Sequence, residues 1–489
     1  MKDYITRDLT ESELSNFLTM KHGTASLCFL RGRRRIGKST LLKRVTKNSK
    51  TPCFYFSGVL DEKLSLTLKR FATEWNNFSE QSQLSKFASR MLNWSVIFQD
   101  IARHASSCDT SKNIGIFIDE IQWLAKGQSG FVGLFKDAWI TLEKYPNIKI
   151  IFCGSSTKFF HNYTGGEEKI LRGMTTHRDI VPPPFTLTQL MRNITPHWTL
   201  EENVVAYMML GGVPYYWMQV PRDRSFIQSI NEMLFTSKTV FLHEVVEILR
   251  LEFNKAGTKT VMKILNTIGI HGADIKTIAI KSRLPLTTVI ETLESLQNYN
   301  IVFKKRVIPE KILKNERGSI FIMHDHYLLF YFAVLKSKER KIVNNISGQL
   351  FSTILQSKKG FYIENFSGKA FENLVFQLLT KISDRTEQIF KELDIVDLDY
   401  EVGEYKTEHC QIDIVLFNTS DRLTRFIECR WSHSGELIES LIKELPLKIR
   451  TFNGPCRGFV VTNAPISSKI KNLANKNQIT LLSLETFFN

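Results

Sequence analysis

The chain has 489 residues, 43% of them hydrophobic, and a net charge of +16 with an isoelectric point near 9.4. That length is too great for one core and points to two to four domains, while the hydrophobic content excludes a largely disordered chain. No run of eighteen apolar residues occurs and Met1-Lys2-Asp3-Tyr4 opens no signal-peptide core, so a soluble, unexported, cytoplasmic protein with no membrane partner is expected.

In chain order, the first informative stretch is Leu27-Cys28-Phe29-Leu30-Arg31, an apolar strand, followed by Gly32-Arg33-Arg34-Arg35-Ile36-Gly37-Lys38-Ser39-Thr40. Gly32 to Ser39 fits G-x-x-x-x-G-K-S/T without a mismatch. Such a loop turns successive backbone N–H groups inward around phosphates, and glycines permit the close approach. A helix opening at Lys38 adds its N-terminal dipole. Lys38 can then reach the β- and γ-phosphates of a nucleotide and the Ser39 hydroxyl can ligate Mg²⁺.

Cys53-Phe54-Tyr55-Phe56 reads as a further strand, and residues 62–106 read as mainly helical. Ile114-Gly115-Ile116-Phe117-Ile118-Asp119-Glu120 is an apolar strand ending in two acids. Asp119 falls where Mg²⁺ would be held and Glu120 where an attacking water would be oriented. Ile148–Cys153 is another strand, delivering Gly154-Ser155-Ser156 to the same end of the sheet. Ser155 or Ser156 could bond a γ-phosphate or the water, or cap a helix; both readings stand. The element order gives an α/β layered sheet. The seven cysteines form no C-x-x-C pair, which fits buried thiols better than disulfides or zinc.

Gly32–Thr40, Ile118-Asp119-Glu120-Ile121-Gln122-Trp123, Gly154-Ser155-Ser156, Pro184-Phe185 and Gly211-Gly212-Val213-Pro214 together resemble archaeal-type ATPases of the AAA+/STAND assemblage, over roughly residues 1–335. The resemblance implies ATP and Mg²⁺ as cofactors, Glu120 as the catalytic glutamate and Ser155 as the polar sensor. It places residues 1–186 in a P-loop core and 187–250 in a helical lid. The family often carries Tyr-Gly-Arg before Pro-Phe, its arginine a candidate finger for a neighbouring subunit in a homo-oligomer. Here Arg172-Gly173-Met174 stands instead, leaving Arg172 and Arg178 as nearby arginines.

Residues 251–335 look like a winged helix, with helices at Val261–Ile268, Asp274–Ala279 and Leu286–Asn298, the last presenting Val289, Leu293 and Leu296 on one face. Lys304, Lys305 and Arg306 would meet DNA phosphates. A protein partner or packing against the ATPase domain is the other reading, and packing is favoured over base reading, because the third helix offers no arginine or asparagine to a base edge until Gln297 and Asn298. Residues 336–359 are polar and serine-rich and read as a connection.

Phe366–Val375 then opens a helix carrying Glu372 amid apolar residues. Two strands follow, Gln411–Phe417 with Asp413 and Arg425–Trp431 with Glu428 and Arg430. Residues two apart on a strand share a face, so Glu428 and Arg430 point the same way. Clustered carboxylates favour a divalent metal, and a basic neighbour can steady a phosphate. This segment, about residues 360–489, resembles the PD-(D/E)XK nuclease fold. The resemblance maps Glu372 onto the helix acid, Asp413 onto the central acid and Glu428-x-Arg430 onto Glu-x-Lys, with a second Mg²⁺ or Mn²⁺ held by Asp413 and Glu428. Arg430 keeps the charge of the usual lysine but not its compact, titratable ammonium. The fold class expected is therefore a P-loop ATPase sheet with helical lid, a winged helix, and a restriction-endonuclease-like α/β domain. The function expected is an ATPase acting on or regulated by DNA, with a metal-dependent nuclease effector. A degenerate nucleic-acid-binding domain and a nucleotide-switched scaffold are the alternatives.

Overall fold

The structure is a computed structural model that describes residues 4–488 apart from 81, 83, 85–90, 127–129, 156, 161–162, 164–170, 172–173, 175–178, 309–318, 346–348, 357–360, 381–386, 396–398, 408–409, 419 and 451. The chain divides into two units, Met1–Pro184 and Phe185–Asn489.

In the first unit, β1 (Ser26–Arg31), β2 (Cys53–Ser57), β3 (Ile114–Asp119), β4 (Ile148–Gly154) and β5 (Asp179–Ile180) form one parallel sheet in the order β2-β3-β4-β1-β5. The near-continuous apolar runs of β1, β3 and β4 follow from burial on both faces. Alternation along β1 shows it: Leu27 and Phe29 enter one core, Cys28 and Leu30 the other. The first core is strongly aromatic, with Phe54 edge-on to Trp75 at 4.9 Å and to Phe71 at 5.1 Å. Parallel pairing aligns the carboxyl ends, with Arg31 opposite Gly154 and Ser57 opposite Asp119.

Lys149 breaks the apolar pattern of β4. It is fully buried, and its ammonium donates to Ser26 Oγ at 3.0 Å, with no acid among its partners. Burial, with a smaller push from Lys21, lowers its pKa to about 8. Between pH 8 and the ordinary 10.5 the unfolded chain binds the extra proton, so this group's penalty shrinks as pH rises through that window and is fully felt below it. Lys149→Met is therefore expected to stabilise the unit at pH 7 by on the order of 3 kcal/mol, with the gain fading from about pH 8 and nearly gone by pH 10.5. Urea unfolding of both proteins across that pH range measures it.

The second unit opens with helices whose starts are legible in sequence. Thr186 with Gln189, Thr199 with Glu202, and Ser225 with Gln228 each close a capping box. Gly211 ends the helix Leu200–Leu210 at φ +60°, and Pro214 starts the next. The helix Phe241–Ile268 then runs unbroken for 28 residues. A division at 250/251 thus falls inside one helix, which buries Val245 and Leu249 on one side of that point and Val261, Ile264 and Leu265 on the other.

Helices Ile275–Ser282 and Leu286–Asn298 follow, the latter burying Val289, Leu293 and Leu296 as its periodicity predicts. β6 (Val302–Lys305) pairs antiparallel with β8 (Ile320–Met323). Between them lies β7 (Val307–Ile308), which leaves this hairpin and adds a parallel edge to the sheet of the carboxyl-terminal domain. Residues 336–359, expected as a connection, carry the helices Lys336–Val343 and Leu350–Gln356. Phe351 anchors the latter, stacked 5.2 Å from Phe235, its N–H donating to Asn231 at 2.8 Å.

The last sheet has the order β13-β12-β11-β10-β9-β7, with β9 (Tyr400–Lys406), β10 (Gln411–Asn418), β11 (Thr424–Arg430), β12 (Cys456–Thr462) and β13 (Ile479–Leu482). β9, β10 and β11 are antiparallel neighbours, whereas β12 and β13 continue parallel to β11. The helix Gly435–Ile449 covers one face through Ile438, Leu441, Ile442 and Leu445. Among the described residues, no helix is long and apolar enough to cross a membrane.

Candidate functional site

The first site lies at the carboxyl ends of β1, β3 and β4. The loop after β1 holds Gly32 at φ +145°, Arg35 at +68° and Gly37 at +85°, after which the helix Lys38–Asn48 begins. A side chain at Gly32 or Gly37 would be strained in that backbone, which explains the two glycines. Lys38 is buried, and its ammonium donates to the carbonyls of Gly32 at 2.7 Å and Arg33 at 2.9 Å. Burial lowers its pKa, while Cys153, Glu120 and Asp119 oppose that shift. A lysine curled back on its own loop keeps its charge solvated and points it at the cradle. These residues fit a bound polyphosphate. Ser39 is half-buried and Thr40 exposed at the same helix start.

Asp119 ends β3 and is buried. Its Oδ2 accepts from the Tyr55 hydroxyl at 2.7 Å, and its Oδ1 from the Glu120 N–H at 2.9 Å. Those two bonds fix the carboxylate's plane. Glu120 adopts a left-handed backbone at φ 49°, which turns the chain into the short helix Ile121–Leu124. A non-glycine residue held there costs about 1 kcal/mol, and such strain gathers at functional sites. Glu120 Oε1 lies 3.9 Å from Arg34 of the phosphate loop, whose guanidinium sits over the Trp123 ring. Glu120 Oε2 accepts from Gln122 Nε2, which also lies 3.4 Å from Ser155 Oγ. The sequence-predicted Lys38, Asp119, Glu120 and Ser155 thus share one end of the sheet. Tyr55 and Gln122 were missed as site residues; Gln122, two positions past Glu120, carried the only available signal. Met174 is buried in the aromatic core, while Arg172, Arg178 and Ser156 lie outside the described residues.

This is a P-loop ATPase domain in an α/β layered sheet, followed by a helical lid segment, and the protein is an ATP hydrolase. Residues 11–220 match the family described as an ATPase domain predominantly from Archaea, and residues 331–441 match a family described as archaeal and bacterial proteins of unknown function. Among solved structures, the chain is similar to the Walker-type ATPase of Pyrococcus abyssi at 17% identity, covering 68% of this chain and 97% of that one with a TM-score of 0.46. It is also similar to Cdc6p of Pyrobaculum aerophilum at 12% identity, covering 70% and 96% with a TM-score of 0.34. A third similarity is to the Drosophila ORC bound to DNA, at 10% identity, covering 68% and 88% with a TM-score of 0.34. No curated protein sequence matches the chain.

The second cluster lies in the carboxyl-terminal domain and corrects two expectations. Lys305, read from sequence as a phosphate contact, is only 2% exposed at its side chain. Its ammonium donates to Glu372 Oε1 at 2.8 Å and to the Asp413 carbonyl at 2.7 Å, and lies 3.7 Å from Glu404 Oε2. Lys369, one turn before Glu372, pairs with the other Glu372 oxygen. Asp413 sits where β10 gains one residue against β9, a bulge that re-aims the strand. Its Oδ2 accepts from the Cys429 N–H at 2.9 Å. Glu428 Oε1 pairs with Lys448 at 2.6 Å. Arg430 is exposed, and Trp431 packs on Phe371 beside Glu372 at 5.1 Å.

Burial pushes Glu372 up, but Lys305 and Lys369 outweigh it and hold the carboxyl below its usual range. Burial, then Glu372 and Glu428, push Asp413 well up. The expected Mg²⁺ or Mn²⁺ set of Asp413 and Glu428, completed by Glu372, is therefore not what the side chains form. Each acid is satisfied by a lysine or a backbone N–H, and among the described residues no three His, Cys, Asp or Glu converge as a metal-holding group. The physical reason is charge compensation from outside the motif: Lys305 and Lys448 supply the cations that a metal would otherwise bring.

Proposed function

We propose that this protein is an ATP hydrolase acting on or regulated by DNA, whose carboxyl-terminal domain binds nucleic acid without cutting it. The observation that carries the second half is Lys305, whose ammonium fills the space between Glu372, Glu404 and the Asp413 carbonyl. A nuclease effector needs carboxylates free to converge on a metal, whereas Glu372 is paired with Lys305 and Lys369, and Glu428 with Lys448. Asp413, Glu428 and Arg430 then take no part in a reaction.

In the nucleotide site, bound Mg-ATP supplies the anhydride and the charge-neutralising cation. Gly32, Gly37, Lys38 and Thr40 would cradle its phosphates, and Ser39 and Asp119 would hold the cation. Glu120 orients water with the oxygen that Gln122 leaves free, and Ser155 senses the terminal phosphate. The strained Glu120 backbone and the two bonds fixing Asp119 support this assignment.

The nucleic-acid reading is supported by the charge of +16 and by the helix pair with its β6–β8 hairpin, a winged-helix arrangement exposing Lys276, Lys281, Arg283 and Arg306. The helix Leu286–Asn298 also exposes Glu291 and Glu294 and carries no arginine, its exposed asparagine coming only at its end, Asn298, so binding rests on phosphates. Affinity for a labelled duplex is expected to fall steeply and linearly with salt on logarithmic axes, and to be nearly independent of sequence. Fluorescence anisotropy at several salt concentrations tests this; absence of binding at low salt removes DNA as a direct partner. A protein partner on the same face is the second reading, favoured by Ile280, Leu286 and Ile290, which are 76%, 50% and 38% exposed.

A further inference from the structure

Gln122 is 8% exposed, and a buried amide must find partners for two donors and one acceptor. Its Nε2 has two acceptors, Glu120 Oε2 and Ser155 Oγ at 3.4 Å. Its Oε1 is buried without a hydrogen-bond partner among the described residues, and it lies 2.5 Å from where a Cβ on Gly154 would stand. Turning the amide over would set a carbonyl oxygen against a carboxylate. The Glu120 charge therefore dictates the orientation, and the orphaned Oε1 is its cost. Gly154, at the end of β4, leaves the room this amide occupies.

We infer that Gln122 is a positioning residue for ATP hydrolysis: it pins one oxygen of Glu120 to the Ser155 end of β4, so that the other oxygen is presented to water. The amide bonds to Glu120 and Ser155 and makes no hydrogen bond to the phosphate loop among the described residues. It acts through Glu120, by removing the rotational freedom of a side chain that otherwise has three torsions to explore. It also joins the two residues that bracket the terminal phosphate, one at the end of β3 and one at the end of β4. A change at Ser155 is thereby felt at Glu120 without any movement of the sheet.

Two properties follow for a variant lacking the amide. ATP affinity is preserved, because Lys38 and the glycine loop are untouched. Turnover falls, because the water-orienting oxygen is no longer fixed.

The inference rests on Glu120 as the group that orients water, so Glu120→Gln is measured beside it. Gln122→Met, of similar volume and without a hydrogen-bond donor, is expected to lower kcat about tenfold or more and leave KM and nucleotide affinity within about twofold. Gln122→Glu, the closest in shape, sets a carboxylate where the donor stood and should lower kcat at least as far, again with KM little changed. Gly154→Ala approaches from the other side: its methyl displaces the amide and should lower kcat in the same way. These two variants carry the test should Gln122→Met fail to fold. Unchanged kcat in the folded Gln122 variants, with Glu120→Gln inactive, overturns the role of Gln122 alone. Full turnover by Glu120→Gln overturns the assignment of Glu120 and this inference with it.

Discussion

Replacing Lys38 by alanine is expected to weaken ATP binding by roughly 100-fold, the equivalent of about 3 kcal/mol, while leaving the domain folded. The ammonium is already buried at the mouth of the loop and rests on the carbonyls of Gly32 and Arg33. A polyphosphate would exchange those neutral acceptors for charged ones, and no other residue of the loop holds a buried cation in the same place. The alanine variant also loses a desolvated charge, so its thermal stability should hold or rise. Calorimetric titration with a slowly hydrolysed ATP analogue, in parallel with a melting curve, separates the two effects. Unchanged affinity in a folded sample would refute the site.

Glu120→Gln is expected to retain nucleotide and lose turnover by roughly 100-fold or more, the range in which a positioned acid–base group acts. The amide keeps the size of the side chain and can occupy the same left-handed corner before the helix Ile121–Leu124. It cannot accept a proton from water, and it sets one amide against another at Gln122. Steady-state phosphate release with nucleotide affinity measured on the same preparation reads both quantities. Parental turnover would remove Glu120 from the reaction.

The nucleotide site was legible because its signals are local. Gly32, Gly37 and Lys38 lie within one loop, and Asp119 and Glu120 end one apolar strand; backbone geometry and strand period suffice to place them. The parallel sheet followed from the same runs, since burial on both faces leaves no alternation to misread.

The carboxyl-terminal cluster was legible only in half. Glu372, Asp413 and Glu428 could be drawn together by helix and hairpin logic, but their neutralising partners could not. Lys305 is 67 residues from Glu372, in a strand belonging to a different hairpin, and Lys448 is 20 residues from Glu428 on a helix. Periodicity reports which way a residue faces within its element, not which distant cation fills the space beyond it. For the same reason Lys305 in a basic run read as a surface charge: three consecutive cations look alike in sequence, although β6 turns Lys305 inward and leaves Arg306 exposed. The helix Phe241–Ile268 runs unbroken through the expected division at 250/251.

The most direct measurement of the central claim is time-resolved incubation of supercoiled and linear duplex with the full chain in Mg²⁺ or Mn²⁺, with and without ATP, read on one gel for both retardation and strand breaks. DNA that is retarded at low salt and stays intact in every metal and nucleotide condition is the predicted result. Metal-dependent nicking that Asp413→Ala abolishes would contradict it, and would mean that the lysine–carboxylate cluster opens to hold a metal in solution.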